Sequence, residues 1–335
     1  MIAERLPSTE LVAREDDARA LARRMGSRAR LAFDLESNGL FAYRARVCTV
    51  QLAADGDVAV VDTLAAPVST LAELLASSET VKIVHDVAFD ARLLAESGVA
   101  LANVRDTSVA ARMLGRTATG LASLLASELG LPLDKKMQHH DWAERPLTPA
   151  GLAYLAADVA HLEALADKVI GEVEARGIAQ EVDEETRYRL AQARGAASTP
   201  DARPPYLRLK GIDRAPREDL PILRRVAELR EARARDLDVP PYKVLAPDVL
   251  FEIARRRPRT MEELSRIKGA TSGRGRGLAA EVLRAVARGA ADDGVPAEEL
   301  ATLERPRPPS SLVRARRARE RRLTRWRREE AQRRG

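Results

Sequence analysis

Apolar residues in the first half of the chain gather in short runs of strand character. Beyond residue 205 they return every three or four positions, the spacing of amphipathic helices. Residues 31–36, 47–53 and 57–62 read as three strands, with Asp55-Gly56 a tight turn between the second and third, so the three are expected to be antiparallel neighbours. Ahead of them, Asp16-Asp17 are placed to cap a helix that runs to Met25. After them come a helix at 69–76, a strand at 81–85 and a helix reaching Ser97. A short strand near Val104 then precedes helices at 108–114 and 121–129. An irregular stretch at 131–147 leads to Thr148, which starts a long helix reaching Arg176. Three paired strands followed by alternating helices and strands predict a mixed sheet with helices on its faces.

Composition changes near Ala196. Residues 1–196 form the first domain, and residues 197–204 are a proline-rich hinge. Residues 205–291 carry helices at 217–237, 247–257, 260–267 and 277–288, a small all-helical domain. Residues 292–311 read as a polar linker and 312–335 as an arginine-rich tail. The tail has eleven arginines against three glutamates and only Leu312, Leu323 and Trp326 as large apolar residues, so it is expected to stay disordered until it meets a polyanion.

Charge separates along the same boundaries. Residues 1–202 are net −8, residues 203–291 net +9, residues 292–311 net −3 and the tail net +8, within an overall +6. An acidic first half and a basic second half point to a site and a polyanion grip in different parts of the chain. No apolar run approaches membrane-spanning length and the first residues lack a signal-peptide layout, so a cytoplasmic protein with no membrane contact is expected. The single cysteine, Cys48, falls in a strand pattern and reads as a small core residue.

The candidate chemistry is carboxylate chemistry. Asp34 and Glu36 close the 31–36 run two residues apart, on one face of a strand. Two acids side by side at the end of a core strand are costly without a cation between them. Asp90 lies one helical turn beyond the end of the 81–85 strand, able to point back over the same sheet edge. Tyr154 and Asp158, four apart, share one face of the long helix.

These residues resemble the DEDD superfamily of 3′-to-5′ exonucleases, in the tyrosine-bearing subtype that includes ribonuclease D. The likeness rests on Phe33-Asp34-Leu35-Glu36, on His85 with Asp90 and Leu93, and on Tyr154, Asp158, Val159 and Leu162. It extends through Leu133-Asp134-Lys135, Asp141-Trp142 and Arg145-Pro146-Leu147. It implies a ribonuclease H-like α/β domain and two divalent metal ions, Mg2+ or Mn2+. Asp34, Glu36 and Asp158 would hold the first, Asp34 would bridge to the second, and Asp90 would reach the second. Tyr154 with Glu36 would position the attacking water; a phenol titrating near pH 10 orients better than it deprotonates. After Glu36 the chain continues Ser-Asn-Gly-Leu-Phe, where many ribonuclease D sequences place an aromatic directly. Leu40 or Phe41 would therefore either wedge against a terminal base or pack on the sheet.

Residues 205–288 resemble the helicase-and-RNase-D C-terminal (HRDC) domain in Pro240-Pro241-Tyr242 and Ile267-Lys268-Gly269. Arg255, Arg256, Arg257, Lys268, Arg274 and Arg276 are its expected phosphate contacts. The function implied is a metal-dependent 3′-to-5′ exoribonuclease that trims structured RNA such as tRNA precursors. The alternatives are an exonuclease acting mainly on DNA and a nucleic-acid-binding protein without activity; the intact acids and tyrosine argue against the latter.

Overall fold

The computed structural model describes residues 9–198, 201–271, 277–303 and 309–334. By its internal contacts the chain divides into two units, Met1–Ala202 with Arg233–Val244, and Arg203–Ala232 with Leu245–Gly335.

In the first unit the described strands are β1 (Thr9–Val12), β2 (Arg30–Ser37), β3 (Val47–Ala54), β4 (Asp57–Asp62), β5 (Val81–Val84) and β6 (Val104–Asp106). They form one sheet in the order β1-β4-β3-β2-β5-β6. β2, β3 and β4 pair antiparallel, as their patterns predicted, while β1, β5 and β6 join in parallel. Asp55 and Gly56 both take positive φ, 50° and 86°, the geometry that folds β3 onto β4 with the natural twist. β1 is not legible in the sequence. It is four residues long with only Val12 buried, and its pairing with β4 supplies what its own pattern lacks.

The helices are α1 (Glu15–Gly26), α2 (Ala72–Ala76), α3 (Ala88–Glu96), α4 (Thr107–Met113), α5 (Leu121–Leu124), α6 (Pro149–Ala160), α7 (Leu162–Ala175) and α8 (Ala179–Ser198). The alternation along β2 divides them between two faces. Leu31, Phe33 and Leu35 enter a core with Leu21 and Met25 of α1, Leu93 of α3 and Leu190 of α8. Ala32 enters a second core with Ala156 and Val159 of α6 and Leu165 of α7. Asp34 and Glu36 continue the Ala32 row, so the residue parity that buries β2 also sends both acids to the α6 face.

Three expectations need correction. Arg14, not an aspartate, is the N-cap of α1; Asp16 and Asp17 sit with Glu15 in its first turn, where negative charge favours the helix dipole. The long helix after Thr148 is two helices broken at His161, whose backbone leaves the helical region at φ −115°; continuous apolar residues on both sides hide the break. The cap itself holds, with Thr148 Oγ1 accepting from Gly151 N–H at 3.1 Å. α8 is not legible in the sequence because charged residues crowd 181–189 and its apolar positions are few, and Val182, Leu190 and Ala193 are buried only through contact with the rest of the unit.

Beyond the hinge lie α9 (Leu220–Asp236), α10 (Pro241–Val244), α11 (Pro247–Arg256), α12 (Met261–Ser265), α13 (Ala279–Ala291), α14 (Ala297–Leu303) and α15 (Ser310–Arg334). In the second unit Leu223, Leu250, Ile253 and Val282 are fully buried. The supposed linker contains a helix, α14, because Glu299 is pinned by the Tyr206 hydroxyl at 2.8 Å and by the Arg224 guanidinium at 3.0 Å. The tail is also helical. Residues 310–334 contain no glycine or proline and are rich in arginine, alanine and glutamate, good helix formers, and Arg316–Glu320 adds a pair at the favourable spacing.

Gly289 shows how tightly the second unit packs. A Cβ there would lie 2.6 Å from Ile222 Cα and 2.9 Å from Ile222 N, backbone atoms of α9 that cannot turn aside. Gly→Ala inside a helix ordinarily stabilises by about 1 kcal/mol. Here Gly289→Ala is expected to destabilise by roughly 1–3 kcal/mol, the range for an overpacked core. Denaturant unfolding followed by circular dichroism checks the sign, and an unchanged or raised midpoint would contradict this packing.

Candidate active site

Asp34 and Glu36 stand on β2 opposite Gln51 and Thr49 of β3, both fully buried. The pairing of β2 with β3 shifts register between Glu36 and Ser37, just past the acids. Across from them α6 runs over β2, β3 and β4. It carries Asp158 with Tyr154 one turn earlier. Carboxylate oxygens of Asp34, Glu36 and Asp158 all lie within 4.8 Å of one another. Asp90, on the first turn of α3, is 6% exposed and stands outside that trio, yet near enough for its charge to act on Asp34.

Burial and mutual repulsion shape every ionisation here. Asp34 is held well above the usual carboxylate range by burial first, then by Asp90, Asp158 and Glu36. Glu36 rises to about 8 through burial and Asp158. Asp158 rises to about 7 through burial. Asp90 rises through burial and the charges of Glu36 and Asp106. The Tyr154 hydroxyl is pushed up by burial and by Asp158, Glu36 and Asp34, so it keeps its proton at neutral pH. An all-carboxylate donor set whose members repel one another fits hard divalent cations such as Mg2+ or Mn2+.

Two supporting residues escaped the sequence reading as functional positions. Asp106, 1% exposed, accepts four backbone N–H groups: Ser108 at 2.8 Å and Val109 at 3.1 Å at the start of α4, and Asp86 at 3.1 Å and Val87 at 2.9 Å in the turn that launches α3. It thereby fixes where Asp90 begins its helix. An aspartate at a strand end followed by Thr-Ser is an N-cap signal that could have drawn notice. Arg145 clamps the irregular 131–147 stretch to the sheet, donating to both Asp62 oxygens at 2.7 Å and to Cys48 O at 3.0 Å. That stretch carries Trp142, which packs 5.6 Å from the Tyr154 ring. His85 Nδ1 lies 2.9 Å from Thr107 Oγ1, whose hydroxyl also lies 3.0 Å from Val84 O, so the imidazole is held against the start of α4. Cys48 is fully buried, as expected of a core residue.

The other predicted contacts are more dispersed. Leu40 is 47% exposed and Phe41 half-buried. Arg255 and Arg256 both pair with Glu252, Arg257 donates to Asp219 and Glu218 O, and Lys268 is exposed. Arg274 and Arg276 lie outside the described residues. No described helix is long and apolar enough to cross a membrane.

The mixed sheet is flanked by helices and sets the strand acids Asp34 and Glu36 with the helix acid Asp158 beside a tyrosine, and the class to which this chain's fold belongs is that of 3′-5′ exonucleases. The 3′-5′ exonuclease family model matches residues 9–174, and the HRDC domain model matches residues 219–286. The chain belongs to the ribonuclease D family: it is 31% identical over 313 residues to Ribonuclease D of Gluconacetobacter diazotrophicus, covering 92% of this chain and 79% of that one. Ribonuclease D of Granulibacter bethesdensis is 30% identical over 316 residues, with the same coverages. Among solved structures, Escherichia coli RNase D, described as an exoribonuclease involved in structured RNA processing, shares the fold. Its TM-score is 0.69 at 24% identity, over 87% of this chain and 76% of that one. The catalytic core of RRP6 from Trypanosoma brucei does so with a TM-score of 0.70 at 22% identity, over 84% and 80%.

Two predictions follow from the electrostatics and the Asp106 contacts. Unfolded carboxyls titrate near 4, so between about pH 4 and the raised values of about 7 and 8 the metal-free folded state binds more protons than the unfolded one. Stability therefore falls as pH rises through that window. In chelator, the melting temperature of the unmodified chain should drop relative to Asp158→Asn between about pH 5 and about pH 9. A gap between the two that stays constant with pH would contradict the repulsion described. Separately, Asp106→Asn replaces an acceptor by an NH2 facing backbone donors and should lower stability by roughly 1–3 kcal/mol. An unchanged unfolding midpoint would show that these bonds do not hold the turn.

Proposed function

We propose that the chain trims the 3′ ends of structured RNA, tRNA precursors among them, hydrolysing terminal phosphodiesters one at a time with two divalent cations, Mg2+ or Mn2+, and releasing 5′-mononucleotides. The observation that carries this reading is the trio of carboxylates within 4.8 Å beside a protonated tyrosine. Asp34, Glu36 and Asp158 would hold one ion, and Asp34 with Asp90 the other. Bound there, the cations supply charge that neutralises the phosphate and acidifies water. Tyr154, kept protonated and braced by Trp142, donates a hydrogen bond that orients the attacking water together with Glu36. Leu40, exposed, packs on the terminal base, with Phe41 behind it. Arg255, Arg256 and Lys268 meet phosphates of the RNA, Arg255 and Arg256 exchanging their exposed pairing with Glu252 for that contact. The RNA preference draws its support from the relatives, because carboxylates that hold metal do not read the sugar.

Matched end-labelled RNA and DNA, incubated with Mg2+ or Mn2+ and with chelator, test this. Mononucleotides released stepwise from RNA 3′ ends, and none in chelator, are expected. Internal cuts, metal-independent release or faster degradation of DNA would overturn the reading. In single-turnover reactions Tyr154→Phe should lower the rate roughly 100-fold with little change in RNA affinity; an unchanged rate would remove Tyr154 from the mechanism.

A further inference from the structure

Helix α15 lies beyond both segments that match family models. It spans 25 residues, and every described side chain on it is exposed except Val313 and Glu330, which are half-buried. Its arginines are not evenly spread. Arg314, Arg317, Arg321, Arg325 and Arg328 recur at spacings of three, four, four and three, which stacks them in one row along the helix. At a rise of 1.5 Å per residue the row is about 21 Å long.

The ion pairs within the helix spare this row. Glu320 takes Arg316 and Glu330 takes Arg333, both off the row. Among the described residues, the five arginines of the row have no carboxylate or hydrogen-bond partner. Like charges at i and i+4, as in Arg317–Arg321 and Arg321–Arg325, work against the free helix, so the ligand that stabilises this face is a polyanion. The opposite side carries Leu312, Leu323 and Trp326, but Arg316 and Arg319 interrupt them. That side therefore cannot enter a lipid interface without burying charge.

We propose that this arginine row docks, as a preformed helical face, along the phosphate backbone of the RNA substrate, holding the strand while its 3′ end is processed. The proposal rests on the ribonuclease reading for the identity of the polyanion. It differs from a disordered basic tail in one measurable respect: position on the helix matters, not only the number of charges.

Two full-length variants separate these cases. One replaces the five row arginines by glutamine (Arg314→Gln, Arg317→Gln, Arg321→Gln, Arg325→Gln, Arg328→Gln). The other replaces five off-row arginines (Arg316→Gln, Arg319→Gln, Arg322→Gln, Arg327→Gln, Arg333→Gln), removing the same charge. Binding of a long single-stranded RNA is titrated against salt in chelator, so that no hydrolysis intervenes, with circular dichroism confirming the fold of each protein. The row variant should flatten the log–log salt slope by about 3.5, five contacts at about 0.7 each, while the off-row variant stays close to the unmodified chain. Equal loss in both variants, or loss in neither, overturns the proposal. So does a row variant that keeps its RNA affinity but loses binding to anionic phospholipid vesicles. Hydrolysis of short oligonucleotides by the unmodified chain is followed in parallel. Its failure would count against the ribonuclease reading, while the chelator titration would still decide the helix face.

Discussion

Asp34, Glu36, Asp90 and Asp158 crowd their charges together, Asp90 and Asp158 buried and Asp34 and Glu36 half-buried, and four negative charges so placed repel one another strongly. Either protons stay on at pH values where free carboxyls have lost them, or cations neutralise the group. The upward displacement of all four acids expresses that conflict. Stability is given up at this point of the fold and is regained when a cation binds the folded state alone. The exonuclease unit can be understood as the scaffold that brings the acids together despite their repulsion.

That scaffold works through rigid elements. β2 lies inside the sheet, paired antiparallel to β3 and parallel to β5, so Asp34 and Glu36 cannot change face without reversing every core contact of Leu31, Phe33 and Leu35. Asp158 rides on α6, whose start is fixed by the Thr148 cap and whose packing uses the small side chain of Ala156 against the Ala32 side of the sheet. Asp106 ties the launch of α3 to that of α4, and with it the position of Asp90. The Arg145–Asp62 clamp holds the 131–147 stretch that braces Tyr154 through Trp142. Each acid thus approaches from a different element, and each element has its own anchor.

Much of this is legible in the sequence alone. Period-two alternation placed Asp34 and Glu36 together, and a spacing of four placed Tyr154 with Asp158. Hydrophobic runs located the central strands, because buried strands must write their burial into the sequence. Elements stabilised from outside were silent. β1 borrows its order from β4, α8 has few apolar positions of its own and buries them against the rest of the unit, and α14 depends on Tyr206 and Arg224 reaching Glu299. The break at His161 was hidden because the residues on both sides are equally apolar. In the tail, charge content suggested disorder, whereas helix propensity and the absence of glycine and proline favour a helix. Asp106 carries a local N-cap signal in Asp-Thr-Ser, but its hold on the turn before α3, like the Arg145 clamp, exists only once the chain has folded.

The measurement that bears most directly on the carboxylate cluster is the number of protons released when Mg2+ or Mn2+ binds, obtained by calorimetry in buffers of different ionisation enthalpy. With Glu36 near 8, Asp158 near 7 and Asp34 and Asp90 also raised, binding at neutral pH should displace about one proton or more per chain. The number should be smaller at pH 9 than at pH 7, as Glu36 and Asp158 lose their protons before the cation arrives, and smaller in Asp158→Asn at pH 7. Binding at pH 7 with no proton release, or release that is the same at both pH values and in the variant, would contradict a cation held by these mutually repelling acids.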